Sequence, residues 1–423
     1  MKMTYGKVRI TPFLPVQMSG FSAFQVAREV HDDLFARLFL FEQDGEELLW
    51  VQNDLACFDG YLYDLIARKS HVGTGQLLTS STHTHSGPGG IIDTYSGVNA
   101  GLDENLGGPL NAEYCHRVAE LIGEETQRMR GRLKPFIMTI RLGEVHGLGT
   151  DRHDPTLPAD ETALAIEFDT DGHKVLLTRM SCHATVMNGE NQQITADFPG
   201  AIERYLPEYE MTAFVNGSAG DMSTRFTRRE NTIAEVERYG QLVSEQLREI
   251  MKQPAESYDG FDLHLLHRTF TVPVRDVGTV EEAMQRRQQA YEKLQQAQQQ
   301  GLTDIELRLI SSLYEGACNA LLSTRAFAKL DHIDIPVSIL RLPGLLLMFT
   351  PVEMFSKLSD PLKKDGILHI GYSNGYLQYM PDRNAYEKNY YEVQSTPYEK
   401  GAGEQLMVGV REWLKQEGLL PQD

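Results

Sequence analysis

The chain has 423 residues, of which 41% are hydrophobic and 23% are charged, and its formal net charge is −19. This composition is that of an ordinary globular protein. The negative charge argues against a nucleic-acid partner and against electrostatic docking on an anionic membrane, because both require a basic face. No run approaches the roughly 18 apolar residues that span a bilayer, so we expect no transmembrane segment, and the sequence leaves the oligomeric state open.

The first residues, Met1 to Pro12, contain no apolar segment like that of a secretory signal. The four cysteines are scattered and show no C-x-x-C spacing. In a chain of this size, reduced thiols fit this pattern better than a disulfide framework does. We therefore expect a cytoplasmic protein.

Three pairs of β-rich runs are each joined by a turn signal, which predicts three hairpins. The runs are residues 37–42 with 47–52, 163–168 with 174–180, and 336–341 with 345–349. The turns are Asp44-Gly45, Asp171-Gly172 and Pro343-Gly344. Many of these runs are apolar at nearly every position, which predicts a sheet that is covered on both faces. The sequence shows no internal repeat.

Helical periodicity is clear in residues 112–129, 233–251 and 403–416. A Gln-rich region, residues 280–330, predicts two mostly solvated helices that are broken at Gly301. The fold class that follows is α/β: a large mixed β-sheet covered by helices on both faces, with an inserted helical hairpin. We expect a single domain over residues 1–423, with the hairpin as a lid-like insertion or as a polar surface feature without function.

Two histidines follow a strand-like run, residues 76–81. His83 and His85 stand in Thr82-His83-Thr84-His85, directly before the turn-forming residues 86–90. Ligands gather at the carboxyl ends of strands in α/β sheets, and side chains two apart on a strand point to the same face. Both imidazoles can therefore bind one ion, or one can bind it while the other transfers a proton. A packed structural pair is the alternative.

His183 and Glu353 repeat this placement. His183 follows the apolar run 175–180, and Glu353 follows the run 345–349. Nitrogen and oxygen ligands from several strand ends are typical of a catalytic zinc site, which keeps one coordination position open. These residues therefore predict a metal site.

Two further segments carry candidate groups. Residues 216–223 follow a strand-like run and either present Ser223 and backbone N–H groups or form a tight structural loop. Residues 372–391 contain six tyrosines. Such density usually reflects packing, but a phenol near a metal can bind it or stabilise an oxyanion.

Together these segments resemble a known family. Residues 82–90, Thr-His-Thr-His-Ser-Gly-Pro-Gly-Gly, resemble the signature of the neutral/alkaline, non-lysosomal ceramidases. In the same order, residues 220–223 resemble the family's G-D-V-S motif, with Thr224-Arg225 in place of its Pro-Asn. Residues 374–392 resemble its tyrosine-rich segment, and residues 9–21 fit its N-terminal region. The resemblance covers nearly the whole chain.

The resemblance implies a zinc-dependent amidase that hydrolyses ceramide to sphingosine and a fatty acid. Carried over by motif, the zinc ligands would be His83, His183, Glu353 and Tyr379. The residues acting on the substrate would be His85 as the acid/base group, Arg152 near the scissile amide, and Tyr391 as a catalytic tyrosine. Ser223 holds a candidate nucleophile position, for which we expect a positioning role.

Members that act on ceramide carry an additional C-terminal β-sandwich domain, whereas this sequence ends soon after the tyrosine-rich segment. We therefore expect the catalytic domain alone, acting on N-acylsphingosine or a related N-acyl substrate. One alternative is a metal-dependent hydrolase of another small amide, ester or phosphoester in the cytoplasm. Another is a binding protein that has kept the fold without catalysis.

Overall fold

A computed structural model describes residues 1–21, 25–102 and 106–422. The longer strands, in chain order, are Lys2–Arg9 (β1), Phe35–Gln43 (β2), Glu46–Asn53 (β3), Leu77–Ser81 (β4), Ile137–Glu144 (β5), Thr162–Thr170 (β6), His173–Met180 (β7), Met211–Asn216 (β8), Asp262–Pro273 (β9), His332–Leu342 (β10), Leu345–Phe349 (β11) and Ile367–Ile370 (β12). The α-helices are Gly60–Ser70 (α1), Ala112–Arg130 (α2), Asp197–Arg204 (α3), Ile233–Met251 (α4), Val280–Gln299 (α5), Asp304–Phe327 (α6), Ser356–Lys364 (α7), Arg383–Lys388 (α8), Tyr391–Ser395 (α9) and Ala402–Gln416 (α10). Among the described residues, none of these helices is long and apolar enough to cross a membrane.

The strands form three sheets that share one topology. In each sheet, three consecutive strands pair antiparallel and a fourth joins the third in parallel: β1–β4, β5–β8 and β9–β12. A helix links the third strand to the fourth each time, namely α1, α3 and α7. The chain therefore repeats one structural unit three times, although the sequence shows no repeat. Topology can recur without sequence similarity because packing requires only apolar residues at the buried positions.

The three predicted hairpins are confirmed, as β2–β3, β6–β7 and β10–β11. Each is the antiparallel centre of one sheet. The predicted helices at 112–129, 233–251 and 403–416 are also confirmed, within one residue at each end. These elements could be predicted from the sequence because turn signals and helical periodicity are patterns of short stretches of chain.

The sheets enclose a common core. Phe39, Phe41 and Trp50 of the first sheet pack there with inward side chains of the other two sheets, including Phe168 and Phe349. Alternate side chains of each sheet face outward into separate clusters, which are covered by α1 with α2, α3 with α4, and α7 with α10. Burial on both faces explains why the strands are so uniformly apolar.

The α/β class is therefore confirmed. Within it, the strands are divided among three mixed sheets, and each sheet carries helices on its outer face and other sheets on its inner face. Apolar runs show that both faces are covered, but they do not show what covers them. The single-domain organisation stays a prediction.

α5 and α6 form an antiparallel hairpin between β9 and β10. Each begins at a capping box, in which a threonine hydroxyl and a glutamate three residues later exchange hydrogen bonds with the backbone: Thr279 with Glu282, and Thr303 with Glu306. α5 buries only Ala283 and Ala297. α6 packs against α9, which follows the tyrosine-rich segment. The hairpin thus reaches from the surface to the carboxyl ends of the strands.

Candidate metal centre

The predicted ligands meet at the carboxyl ends of strands from all three sheets. His83 follows β4, His183 follows β7 and Glu353 follows β11. The Glu353 Oε2 atom lies 3.3 Å from His83 Nε2 and 3.2 Å from His183 Nε2, and all three side chains are buried. The third and fourth strands of each unit are parallel, so their carboxyl ends lie at the same edge of the sheet, and residues far apart in sequence converge on one point.

Backbone carbonyls fix the tautomer of both rings. His83 donates from Nδ1 to the Ala56 carbonyl at 2.6 Å, and His183 donates from Nδ1 to the Ala219 carbonyl at 2.7 Å. Since a carbonyl only accepts, each Nδ1 carries a proton, and the Nε2 atom on the other side of each ring faces Glu353. Burial and the neighbouring His83 lower the pKa of His183 to about 4, which keeps this ring neutral. Lone pairs that converge on a carboxylate repel one another unless a cation lies among them.

His83 is held in an unusual backbone conformation. Its φ angle is 66°, in the left-handed region, so it does not continue strand β4. The expectation that His83 and His85 share a strand face is therefore wrong in its geometry, although their rings do converge, with Nε2 atoms 3.1 Å apart. Tyr372, on which the His83 ring stacks at 4.1 Å, also has a positive φ, of 52°. Such conformations cluster at functional sites, where the surrounding structure holds them.

His85 lies beside the two ligand rings. The three histidines offer nitrogen atoms that all lie within 4.8 Å of one another, so His85 is placed either to join the ligands or to stand next to them. Its Nδ1 is buried and has no hydrogen-bond partner among the described residues. Burial is the main reason that the pKa of His85 is held well below its usual range. Gly20, with φ of 107°, packs against this ring where a Cβ would lie only 2.4 Å from it.

Two tyrosines hold the Glu353 carboxylate. Tyr376 donates to Oε1 at 2.6 Å and Tyr372 donates to Oε2 at 3.3 Å. Burial and the Glu353 charge raise the pKa of both phenols well above the usual value, which keeps them protonated as donors. The sequence showed that tyrosines are abundant here, but it did not assign these two. The only feature of the sequence that pointed to Tyr372 and Tyr376 was that both lie close to Tyr379 in the chain.

Arg152, Tyr379 and Tyr391 form the wall next to the ligands. Arg152 donates to the Tyr379 hydroxyl at 3.2 Å, and that hydroxyl lies 3.3 Å from His183 Nε2. The Arg152 guanidinium lies 5.9 Å from the centre of the Tyr391 ring. Glu392, which the sequence did not single out, binds Arg152 at 3.1 Å. The structure therefore brings the predicted arginine, the predicted fourth ligand Tyr379 and the predicted catalytic tyrosine Tyr391 to the site of His83, His183 and Glu353.

Ser223 lies in the adjoining loop. Its backbone pairs with that of His183, and its hydroxyl accepts a hydrogen bond from the Arg225 N–H at 3.1 Å. The hydroxyl thus caps the short turn that follows. Asp221, two residues earlier, accepts from both the backbone N–H and the hydroxyl of Ser356. This loop therefore braces the strand ends through its polar side chains.

A cavity of about 70 Å³ opens beside His83 and His85. Its wall includes Tyr379 and Tyr391, and also Asn319 and Ser323 from helix α6. The hairpin therefore contributes directly to the site, which the sequence did not predict. The cavity leaves a space beside these two histidines that a small chemical group can enter.

No protein-family model matches the sequence, and no curated protein sequence matches it either. Among solved structures, the neutral ceramidase from Pseudomonas aeruginosa superposes with a TM-score of 0.74 at 21% identity, covering 100% of this chain and 75% of that one. A ceramidase complexed with C2 gives 0.72 at 18% identity, covering 100% of this chain and 76% of the other. This chain has the fold of those ceramidases, and the resemblance is confirmed at that level.

Proposed function

We propose that the chain is a zinc-dependent hydrolase that cleaves the amide bond of an N-acyl substrate. The two solved structures that share its fold are named as ceramidases, and a ceramidase cleaves an amide bond of this kind. One observation carries the proposal: the Nε2 atoms of His83 and His183 converge on the Glu353 carboxylate at 3.2 to 3.3 Å. Ligands about 2.0 to 2.1 Å from a tetrahedral zinc ion lie roughly 3.3 Å from one another. The residues present therefore fit zinc.

The ligand set we assign is His83, His183, Glu353 and Tyr379. A zinc ion held there would supply Lewis-acid chemistry, by polarising the amide carbonyl and by acidifying a water molecule. Tyr372 and Tyr376 hold the carboxylate, and the Ala56 and Ala219 carbonyls hold the rings, in the manner of the outer partners that orient metal ligands.

His85 is the proton-transfer group in this proposal. Its ring is neutral at ordinary pH because burial lowers its pKa, and its Nδ1, which has no hydrogen-bond partner among the described residues, is the atom we assign to accept a proton from the attacking water. The same ring then returns the proton to the nitrogen of the leaving amine. The contact with His83 at 3.1 Å keeps the ring at the edge of the ligand cluster, where such a transfer takes place.

Arg152 and Tyr391 are placed to stabilise the oxyanion that forms from the carbonyl oxygen. Glu392 anchors the guanidinium at 3.1 Å, so its position is set before substrate binds. Burial raises the pKa of Tyr391 to about 12, which keeps its phenol protonated as a donor. Ser223 is assigned a positioning role, since its hydroxyl caps the Arg225 turn.

The proposed substrate is a small or lipid-like amide, with N-acylsphingosine as one member of the class, and the proposed location is the cytoplasm. Hydrolysis of another small amide, ester or phosphoester by the same centre is the second candidate. The walls of the cavity favour it, because serine, asparagine and glutamine side chains line a volume of about 70 Å³.

Metal analysis of the purified protein, with activity on a panel of N-acyl amides, esters and phosphoesters, tests the proposal. We expect about one zinc per chain, loss of amidase activity on chelation, and its return with added zinc. His83→Ala should lose both metal and activity, whereas His116→Ala, at an exposed histidine on α2, should keep both. A protein that is fully active without zinc contradicts the proposal, and turnover confined to esters or phosphoesters selects the second candidate.

A further inference from the structure

The hairpin helix α6 places two polar side chains, Asn319 and Ser323, in the wall of the cavity. Asn319 is 7% exposed and lines the cavity together with His83 and His85. It can approach this closely because Gly316, one turn earlier, lies against Gln394; a Cβ there would be only 3.2 Å from that side chain. Asn319 therefore belongs to the site, although it comes from the otherwise polar hairpin.

The hydrogen bonds around Asn319 fix which way its amide is turned. Its Nδ2 lies 2.9 Å from the Tyr391 hydroxyl and 3.3 Å from the Ser395 hydroxyl. Ser395 donates its own proton to the Tyr391 carbonyl at 3.2 Å, so its oxygen only accepts from Asn319. The side of Asn319 that faces Ser395 is therefore the NH₂ group.

Two consequences follow at the cavity. The Tyr391 hydroxyl accepts from Asn319, so its own proton stays available to donate toward a substrate. Asn319 Oδ1 is buried and has no hydrogen-bond partner among the described residues. A buried acceptor without a partner is costly, and native proteins rarely keep one without a use for it.

We propose, on the basis of the proposed function, that Asn319 is a substrate-binding residue whose Oδ1 accepts a hydrogen bond from a donor on the amine half of the substrate. That donor is the amide N–H or a hydroxyl near it. The substrate class is therefore an N-acyl amide with such a donor, and an analogue without it leaves the buried Oδ1 unpaired. Sites built in this way discriminate strongly against the analogue.

The same side chain also acts on the reaction through Tyr391. Because Nδ2 occupies the lone-pair side of the phenol, it directs the phenol proton into the cavity, where the oxyanion would form. Asn319 thus joins substrate recognition to the orientation of a catalytic donor.

Three probes separate the two possible donors: N-acetylethanolamine, N-ethylacetamide and N-ethyl-N-methylacetamide. The first and second differ by a hydroxyl, and the second and third by the amide N–H. We expect the wild-type protein to discriminate within one of these pairs by on the order of 10- to 100-fold in kcat/KM, and that pair identifies the donor. Equal rates within both pairs would overturn the proposal.

Asn319→Leu and Asn319→Asp resemble asparagine in shape and divide its two functions. Asn319→Leu lacks the acceptor and should bring the discrimination to within about 2-fold. Asn319→Asp keeps an acceptor but not the NH₂ group, so it should keep the discrimination while kcat falls. Wild-type discrimination in a folded Asn319→Leu protein, or an unchanged kcat in Asn319→Asp, contradicts the assignment. Gln285→Ala, on the exposed face of α5, is the control and should change neither.

Failure of this inference is distinguishable from failure of the proposed function. If the zinc-loaded protein cleaves none of the probes, the amidase proposal fails, and calorimetric binding of the same probes then tests Asn319. A preference in Kd that Asn319→Leu removes supports the inference without turnover, and binding that ignores the donor overturns it. Melting curves of each variant, measured by circular dichroism, show whether it folds.

Discussion

The strand ends that carry the ligands and the α5–α6 hairpin meet at one cavity, but they are built differently. His83, His183 and Glu353 are 1 to 3% exposed and rest on sheets that are packed on both faces. α5, by contrast, buries two alanines along 20 residues. The groups that would hold a cation are thus fixed by the core, while a side chain that would contact substrate comes from α6, which lies outside the three sheets and packs between α5 and α9.

This difference shows that metal binding and substrate recognition are assigned to separate parts of the fold. Metal ligands require positions accurate to a fraction of an ångström, which dense packing provides. Substrate recognition changes with little cost to the core when its residues stand on a peripheral helix. Matched substitutions in the two regions should therefore have very unequal effects.

The largest effect is expected for Glu353→Gln. The amide removes the negative charge from the point where the Nε2 lone pairs converge, and it places an NH₂ group or a neutral oxygen there. Several kcal/mol of transition-state stabilisation depend on the cation, so kcat/KM should fall roughly 10³-fold. Zinc content and kcat/KM are measured together. Glu281→Gln, the same change on the exposed face of α5, is the control and should leave zinc content and kcat/KM unchanged. A Glu353→Gln protein that still binds zinc and stays active would contradict the expected difference between the two regions.

The next effect is expected for Tyr376→Phe, which removes the 2.6 Å hydrogen bond to Glu353 Oε1. Outer partners of this kind commonly contribute 10- to 100-fold in metal affinity or activity, so the zinc Kd should rise by about that factor. Competition with a chelator measures it. Tyr291→Phe on α5 removes a hydroxyl that contacts only Gln295 among the described residues, and should leave the Kd unaltered.

A third effect concerns stability and acid. Burial and then the Arg179 charge lower the pKa of His369 from 6.5 to about 3, and both ring nitrogens bind hydroxyls, those of Ser218 and Thr350. Below pH 6.5 His369 becomes protonated in the unfolded chain but stays neutral in the folded protein. The free energy of unfolding therefore falls as the pH drops toward 3.

Urea unfolding at pH 7 and pH 5 measures this contribution. The wild-type protein should lose about 2 kcal/mol more between the two pH values than His369→Gln does. His264→Gln, at an exposed position of β9, should titrate like the wild-type protein. If the free energy of unfolding falls equally with acid in the His369→Gln and wild-type proteins, the buried His369 ring does not contribute to the pH dependence of stability.

The smallest effect is expected for Gln285→Ala on α5. The side chain is exposed, so the free energy of unfolding should change by less than about 0.5 kcal/mol. Thermal melting at two protein concentrations measures this and also reveals any self-association. A loss above 2 kcal/mol would mean that α5 carries packing outside the described contacts.

Local patterns in the sequence predicted the three hairpins and the long helices, and they made His83, His183 and Glu353 candidate ligands, because turn residues and strand ends are properties of short segments. Tyr379 became a candidate ligand only through the family resemblance. They did not predict the threefold topology, since that depends on which distant strands pair. Nor did they predict that Tyr376 binds Glu353 or that Asn319 reaches Tyr391. The available signal for Asn319 was slight: an amide between Cys318 and Ala320, in a helix whose other residues from Ala317 to Leu322 are small or apolar.

The distribution of the ligands along the chain has a consequence for synthesis. His83 belongs to the first structural unit, His183 to the second and Glu353 to the third, so none of the units holds a complete ligand set. Because synthesis proceeds from the N-terminus, the first two units emerge before Glu353 and lack the carboxylate that would complete the site. If the proposed zinc site is right, the ion would bind only after the third unit has been synthesised, and a nascent fragment that ends before Glu353 should not retain zinc.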